Sequence, residues 1–174
     1  MHRSRARPDT LAIGMVLLLT ACGGGGSSNA AASRAAVSGN VLDRCALLTD
    51  DEIDAAIGPH GPGSSGLANE WALQSCRWTA TLAQQVEGYP EWHDAIEVAV
   101  FEAAVVPMVR QQIRGDPVSG FVPGATYDHL YGETWFDCPH GRLCVVQATT
   151  RSGDRRQQIV AQLARLVESR LRAP

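Results

Sequence analysis

Four cysteines, Cys45, Cys76, Cys138 and Cys144, constrain this 174-residue chain more than any other feature. A disulfide holds two Cα atoms roughly 4.4–6.8 Å apart, so each pair decides which segments lie side by side. Four cysteines allow three pairings. The spacing favours Cys45 with Cys76 and Cys138 with Cys144. The shorter pair borders two strand-like runs, 133–138 and 144–150, around Pro139-His140-Gly141-Arg142-Leu143. Setting Cys138 opposite Cys144 puts Phe136 opposite Val146 and Thr134 opposite Ala148. Side chains alternate along a strand. Phe136, Val146 and the disulfide then share the core face, and Trp135, Asp137, Val145 and Gln147 share the other. That other face is either covered by a second helix or left as a docking surface. The competing use of four thiols is a metal site. It lacks the Cys-x-x-Cys spacing, and thiolate ligands are poorly kept in oxidising surroundings, so no metal is expected.

The N-terminus supplies the reason to expect those surroundings. Arg3, Arg5 and Arg7 precede an apolar stretch over 11–19, relieved only by Gly14, and Thr20 and Ala21 follow. A charged start, a short apolar run and small residues before a cut define an export signal. The run is shorter than the roughly 20 residues of a membrane-spanning helix. Leu19-Thr20-Ala21-Cys22 resembles the bacterial lipobox. The resemblance implies cleavage before Cys22 and diacylation of its thiol, because only a thiol forms the thioether to lipid. Two acyl chains hold a protein stably where one is marginal. Residues 23–28 are all Gly and Ser, and Ala, Ser and Asn dominate up to Gly39. Such a stretch is a flexible coil. The expected organisation is a signal peptide over 1–21, a lipidated Cys22 with its spacer over 22–40, and an extracytoplasmic domain over 41–174. The location implied is the outer face of the cell membrane.

Charge narrows the partners. The first 21 residues carry three arginines against Asp9, so the net −3 of the whole chain becomes about −5 beyond them. That disfavours nucleic acid, which requires a basic face, and adhesion to anionic lipid by charge. The partners expected are the membrane, through Cys22, and an envelope protein or a small hydrophobic ligand. All basic side chains apart from histidine are arginine, which we ascribe to coding bias. The hydrophobic fraction of 45% suffices for a core, although the signal contributes to it.

Local patterns predict the elements. Thr49 with Glu52 three residues later is a capping box, and acidic residues crowd the following turn, where the helix dipole favours them. Gly58 and Pro59 end that helix, whose buried stripe is Ile53, Ala56 and Ile57. A loop over 58–66 follows. Alternation predicts strands over 75–82 and 95–102, joined by a long loop over 84–94. A short helix over 106–114, with Pro107 in its first turn, closes at Gly115, and 116–124 is turn-rich. Ile159, Val160, Leu163, Leu166, Val167 and Leu171 recur at helical spacing over 154–171. One apolar stripe on a long helix needs a flat partner. The expected fold is a single α+β domain: an antiparallel sheet of four or five strands with helices packed on one face, stapled by disulfides.

Cys45-x-Leu47-Leu48-Thr49, an acidic helix ending at Gly58, and then Cys76-Arg77-Trp78 resemble a group of small actinobacterial secreted lipoproteins with an extracytoplasmic domain of unknown function. The match covers the lipobox, the spacer and about the first third of the domain. The resemblance implies location and fold and carries no catalytic residue across. A Cys45–Cys76 bridge would close a loop of about 30 residues, worth about 3–4 kcal/mol in the chain-entropy model.

Catalytic motifs are absent from the sequence. There is no Gly-x-Ser-x-Gly, P-loop, dinucleotide fingerprint or His-Glu-x-x-His, and no cofactor is expected. His93, beside Asp94 and near Glu91, is the best acid/base candidate for a small envelope hydrolase. His129 and His140 are solvated loop residues in this reading. Trp78 belongs to the core, whereas Trp71, Trp92 and Trp135 are candidates for ligand contact. The leading expectation is a non-catalytic binding or accessory module. The alternatives are that hydrolase and a structural or sensor-like domain.

Overall fold

The computed structural model describes residues 42–66, 75–86, 89–151 and 153–173. The signal, Cys22, the spacer and Trp71 lie outside the described residues. A single 3-10 turn, Arg44–Leu47, leads into α1 (Asp50–Ile57). Both halves of the capping box form: Thr49 Oγ1 accepts from Glu52 N at 3.4 Å, and Glu52 Oε2 accepts from Thr49 N at 2.8 Å. Gly58, at φ +78°, ends the helix, donating its N–H to the Asp54 carbonyl.

The strands are β1 (Ser64–Gly66), β2 (Ser75–Thr79), β3 (Gln84–Val86), β4 (Tyr89–Trp92), β5 (Ala95–Phe101), β6 (Asp116–Pro117), β7 (Thr126–Asp128), β8 (Glu133–Cys138) and β9 (Arg142–Thr149). Two helices complete the list, α2 (Val106–Arg110) and α3 (Gly153–Arg172). One antiparallel sheet of seven strands runs in the order β1-β2-β5-β9-β8-β7-β6, and β3 and β4 form a separate hairpin. The four or five strands expected are therefore seven. The additions β1, β6 and β7 are two or three residues long. Such runs are too short to alternate visibly, and two of them lie in Gly/Pro-rich segments. Tertiary pairing makes them strands. The expected loop over 84–94 likewise contains the β3–β4 hairpin.

Both disulfides, Cys45–Cys76 and Cys138–Cys144, are formed. The hairpin register differs from the one expected: Cys138 pairs with Arg142, Phe136 with Cys144 and Thr134 with Val146. The disulfide is diagonal, with Cα atoms 5.9 Å apart. Pairing runs two residues further into the turn, which tightens to Pro139–Gly141 with His140 at φ +63°. Because the offset is two residues, every side chain stays on its expected face.

The first face of the sheet carries Trp78, Ile96, Val98, Phe136, Cys144 and Val146, all buried, and packs against α1 and α3. Ile159, Val160, Leu163, Ala164 and Val167 form the buried stripe of α3. Arg170 clamps the two helices, reaching both carboxylate oxygens of Glu52 at 2.7 Å and the Leu47 carbonyl. The second face is also partly covered, contrary to the expectation of helices on one side only. Ala99, Phe101, Leu143 and Val145 project from it and are buried under Val106 and Val109 of α2. Apolar residues on both sides of β5 and β9 require cover on both sides, and α2 is short because only part of the second face is apolar. Among the described residues, no helix is long and apolar enough to cross a membrane.

Candidate ligand cleft

Beyond the part covered by α2, the second face turns polar. The register aligns Arg77 with Glu97, Glu97 with Gln147, Gln147 with Glu133, and Glu133 with Asp128. These residues form one row across β2, β5, β9, β8 and β7. Arg77 pairs with Glu97 at 3.2 Å. Glu133 accepts from the Gln147 amide at 3.2 Å and from the Trp135 indole N–H at 3.1 Å. Asp128 Oδ1 accepts from Leu130 N at 2.7 Å and Tyr131 N at 3.2 Å, the local bonding that favours aspartate at a turn. The turn carries exposed Leu130 and Tyr131.

A cleft of about 570 Å³ opens over this end of the row. Its floor is Glu133, Trp135 and Asp128, one rim is Tyr131, and the other is the segment 111–114 that follows α2. Trp135 is half-buried and packs on Phe101, with ring centroids 5.5 Å apart. Trp135 and Ile113 also border a second cleft of about 330 Å³ that reaches Thr126 and Asp137. A third depression, of about 640 Å³, lies along α3 and is lined by Phe121, Asp154, three glutamines, Ala161 and Arg165. Of these three, the first combines an aromatic wall with a perturbed carboxylate. Burial, reinforced by the charges of Asp128 and Glu97, pushes the Glu133 carboxyl above its ordinary value, and the bond from Trp135 opposes that shift only in part.

The residues singled out from the sequence separate. Trp135 lines the cleft. Trp92 sits on β4, half-buried, and donates its indole N–H to Asp94 Oδ1 at 3.2 Å. Trp78 is a core residue, 2% exposed. His93 Nδ1 donates to the Ala80 carbonyl at 2.7 Å, while Asp94, buried, accepts from Trp92 and from Gln84 Nε2 at 3.1 Å. Glu91 is exposed. The His93 and Asp94 side chains thus hold the β3–β4 hairpin against the end of β2 and are bonded to different partners. His129 is exposed and meets Tyr127 edge to face at 4.7 Å, and His140 is exposed at the hairpin tip. Among the described residues, no group of three or more His, Cys, Asp or Glu side chains is placed to hold a metal ion.

Glu133, Asp128 and Tyr131 are cleft residues that sequence reasoning passed over. Glu133 shares its face with Trp135 by simple alternation, which was a usable signal. Asp128 had none, because β7 is visible only once it is paired. Comparisons with protein-family models, with curated proteins and with solved structures find no match to this chain, so the fold and the cleft stand on its own residues.

Proposed function

We propose that this chain is a membrane-anchored bacterial lipoprotein whose extracytoplasmic domain is a non-catalytic binding module, with the cleft beside Trp135 as its ligand site. In this reading Cys22 carries the lipid and the Gly/Ser/Ala spacer holds the domain off the outer face of the cell membrane. The chain is grouped with the small actinobacterial secreted lipoproteins that its Cys45, Cys76 and Trp78 pattern resembles. The observation that carries the binding role is the cleft itself. A concave site within the ordinary 300–1,000 Å³ range of ligand pockets has an indole for a wall and the half-buried carboxylate of Glu133 beside it. The hydrogen bonding of His93 and Asp94 supports a structural role for them and favours binding over hydrolysis.

Two measurements test the reading separately. Replacing Cys22 with Ser is expected to abolish acylation and move the chain from the membrane fraction to the soluble one; an unacylated native residue 22 would remove the anchor. Tryptophan emission of the full chain, titrated with envelope extract, is expected to change saturably, and the Trp135→Phe variant to lose most of that change. An identical response from both proteins would place binding elsewhere.

A further inference from the structure

We infer that the cleft beside Trp135 takes an organic cation, an alkylammonium head on an apolar body, seated between the Trp135 indole and the carboxylates of Glu133 and Asp128. The inference rests on the proposed binding role and specifies its chemistry. Asp128 and Glu133 are cross-strand partners on neighbouring strands. Like charges directly opposite one another in a sheet repel. Further along the same row Glu97 has its counter-charge, Arg77, at 3.2 Å. The donors bonded to Glu133 and Asp128 are neutral: an indole N–H, a side-chain amide and two backbone N–H groups. Burial does most to raise the proton affinity of Glu133, and the charges of Asp128 and Glu97 add to it.

The shape of the site selects an organic cation over a metal. No described group of three or more His, Cys, Asp or Glu side chains is placed for metal ligation. The indole of Trp135 and the half-exposed ring of Tyr131 border the same space. Aromatic faces attract ammonium groups, and more strongly where water is displaced. Ile113 adds an apolar surface for the body of the ligand. Arg114, exposed on the opposite rim, is the charge that would favour an anion, so it is the side chain that discriminates the two outcomes.

The test is calorimetric titration of the purified full chain with three probes that share a benzyl body: benzyltrimethylammonium chloride, benzyl alcohol and sodium phenylacetate. Benzyltrimethylammonium is expected to bind most tightly. Glu133→Gln is expected to weaken it about tenfold while leaving benzyl alcohol unchanged. Arg114→Ala is expected to leave the cation's affinity equal or raised. A thermal melt of Glu133→Gln at or above the parent midpoint shows that the loss is not unfolding. Phenylacetate binding more tightly than the cation, and lost in Arg114→Ala, would overturn the inference while keeping the cleft as a ligand site. Benzyl alcohol binding as tightly as the cation would do the same. Failure of all three at millimolar concentration would overturn the inference, and the envelope titration of Trp135→Phe would then show whether the binding role falls with it.

Discussion

The two faces of the central sheet are built to different specifications. The face beneath α1 and α3 is apolar along β2, β5, β9 and β8, holds buried atoms of both disulfides, and meets a helix of 20 residues. The opposite face meets α2, a helix of five residues, and then gives way to the polar row from Arg77 to Asp128. Burial stabilises the first face. On the second face charge is left incompletely balanced beside a cleft, an arrangement typical of binding sites, where stability is traded for chemistry.

This contrast is open to measurement, and the largest effect belongs to the first face. Leu163 of α3 is 1% exposed. Leu163→Ala is expected to cost about 2–5 kcal/mol by urea denaturation. A loss under about 1 kcal/mol would mean that α3 is not seated as described. Next is the clamp between the helices. Glu52→Gln keeps the capping box but removes the charged partner of Arg170, at an expected cost of about 1.5 kcal/mol near neutral pH. Burial on its own would raise the Glu52 carboxyl, but the bonds from Arg170 and Thr49 outweigh it and hold the group below its ordinary value. Its contribution is present above about pH 4.3, the unfolded value, and is lost as pH falls through the lower folded one. The variant should therefore show a flatter acid limb in its stability curve, and an unchanged limb would remove Glu52 from that role.

A smaller effect, of the opposite sign, concerns Thr134. Its hydroxyl is fully buried on the first face without a hydrogen-bond partner among the described residues. Thr134→Val keeps the shape and deletes the unpaired polar atom, so it is expected to stabilise the fold by about 1 kcal/mol. Destabilisation would point to a partner for that oxygen. The smallest effect lies on the second face. The folded Glu133 carboxyl is raised, so its contribution to stability is full below about pH 4.3 and is lost as pH rises through the folded value. Glu133→Gln is expected to gain less than about 1 kcal/mol at pH 7, with the gain disappearing in acid. A variant less stable than its parent at pH 7 would show that Glu133 serves the fold and not the cleft. The two glutamates thus predict pH dependences of opposite sign on opposite faces.

How much of this was legible depended on the range of each interaction. The capping box at Thr49 and Glu52 and the stripe from Ile159 to Val167 are properties of a few consecutive residues, so the two helices were predictable with their buried sides. The hairpin shows the boundary. Alternation placed Phe136 and Trp135 on opposite faces, and that held despite a register two residues away from the expected one. Parity is a local property, whereas register depends on how far the turn lets the strands close. The cleft was half visible. Trp135 stood out by its type and Glu133 was available by parity, but Asp128 becomes their neighbour only through pairing with β8. Trp92 and His93 drew attention by type alone, and their hydrogen bonds are those of a hairpin held in place.

The amino-acid order by itself determined the capped start of α1, the buried stripe of α3 and the face each strand residue occupies, and it favoured the cysteine pairs. These follow from capping, periodicity and loop length. By contrast α2, expected over 106–114, ends at Arg110. Tertiary structure alone decided the number of strands, the hairpin register, the seat of α2 on the second face and the meeting of Asp128, Glu133 and Trp135. These come from hydrogen bonds and packing between segments far apart in the chain. A two- or three-residue strand has too few side chains to announce itself before its partner is in place.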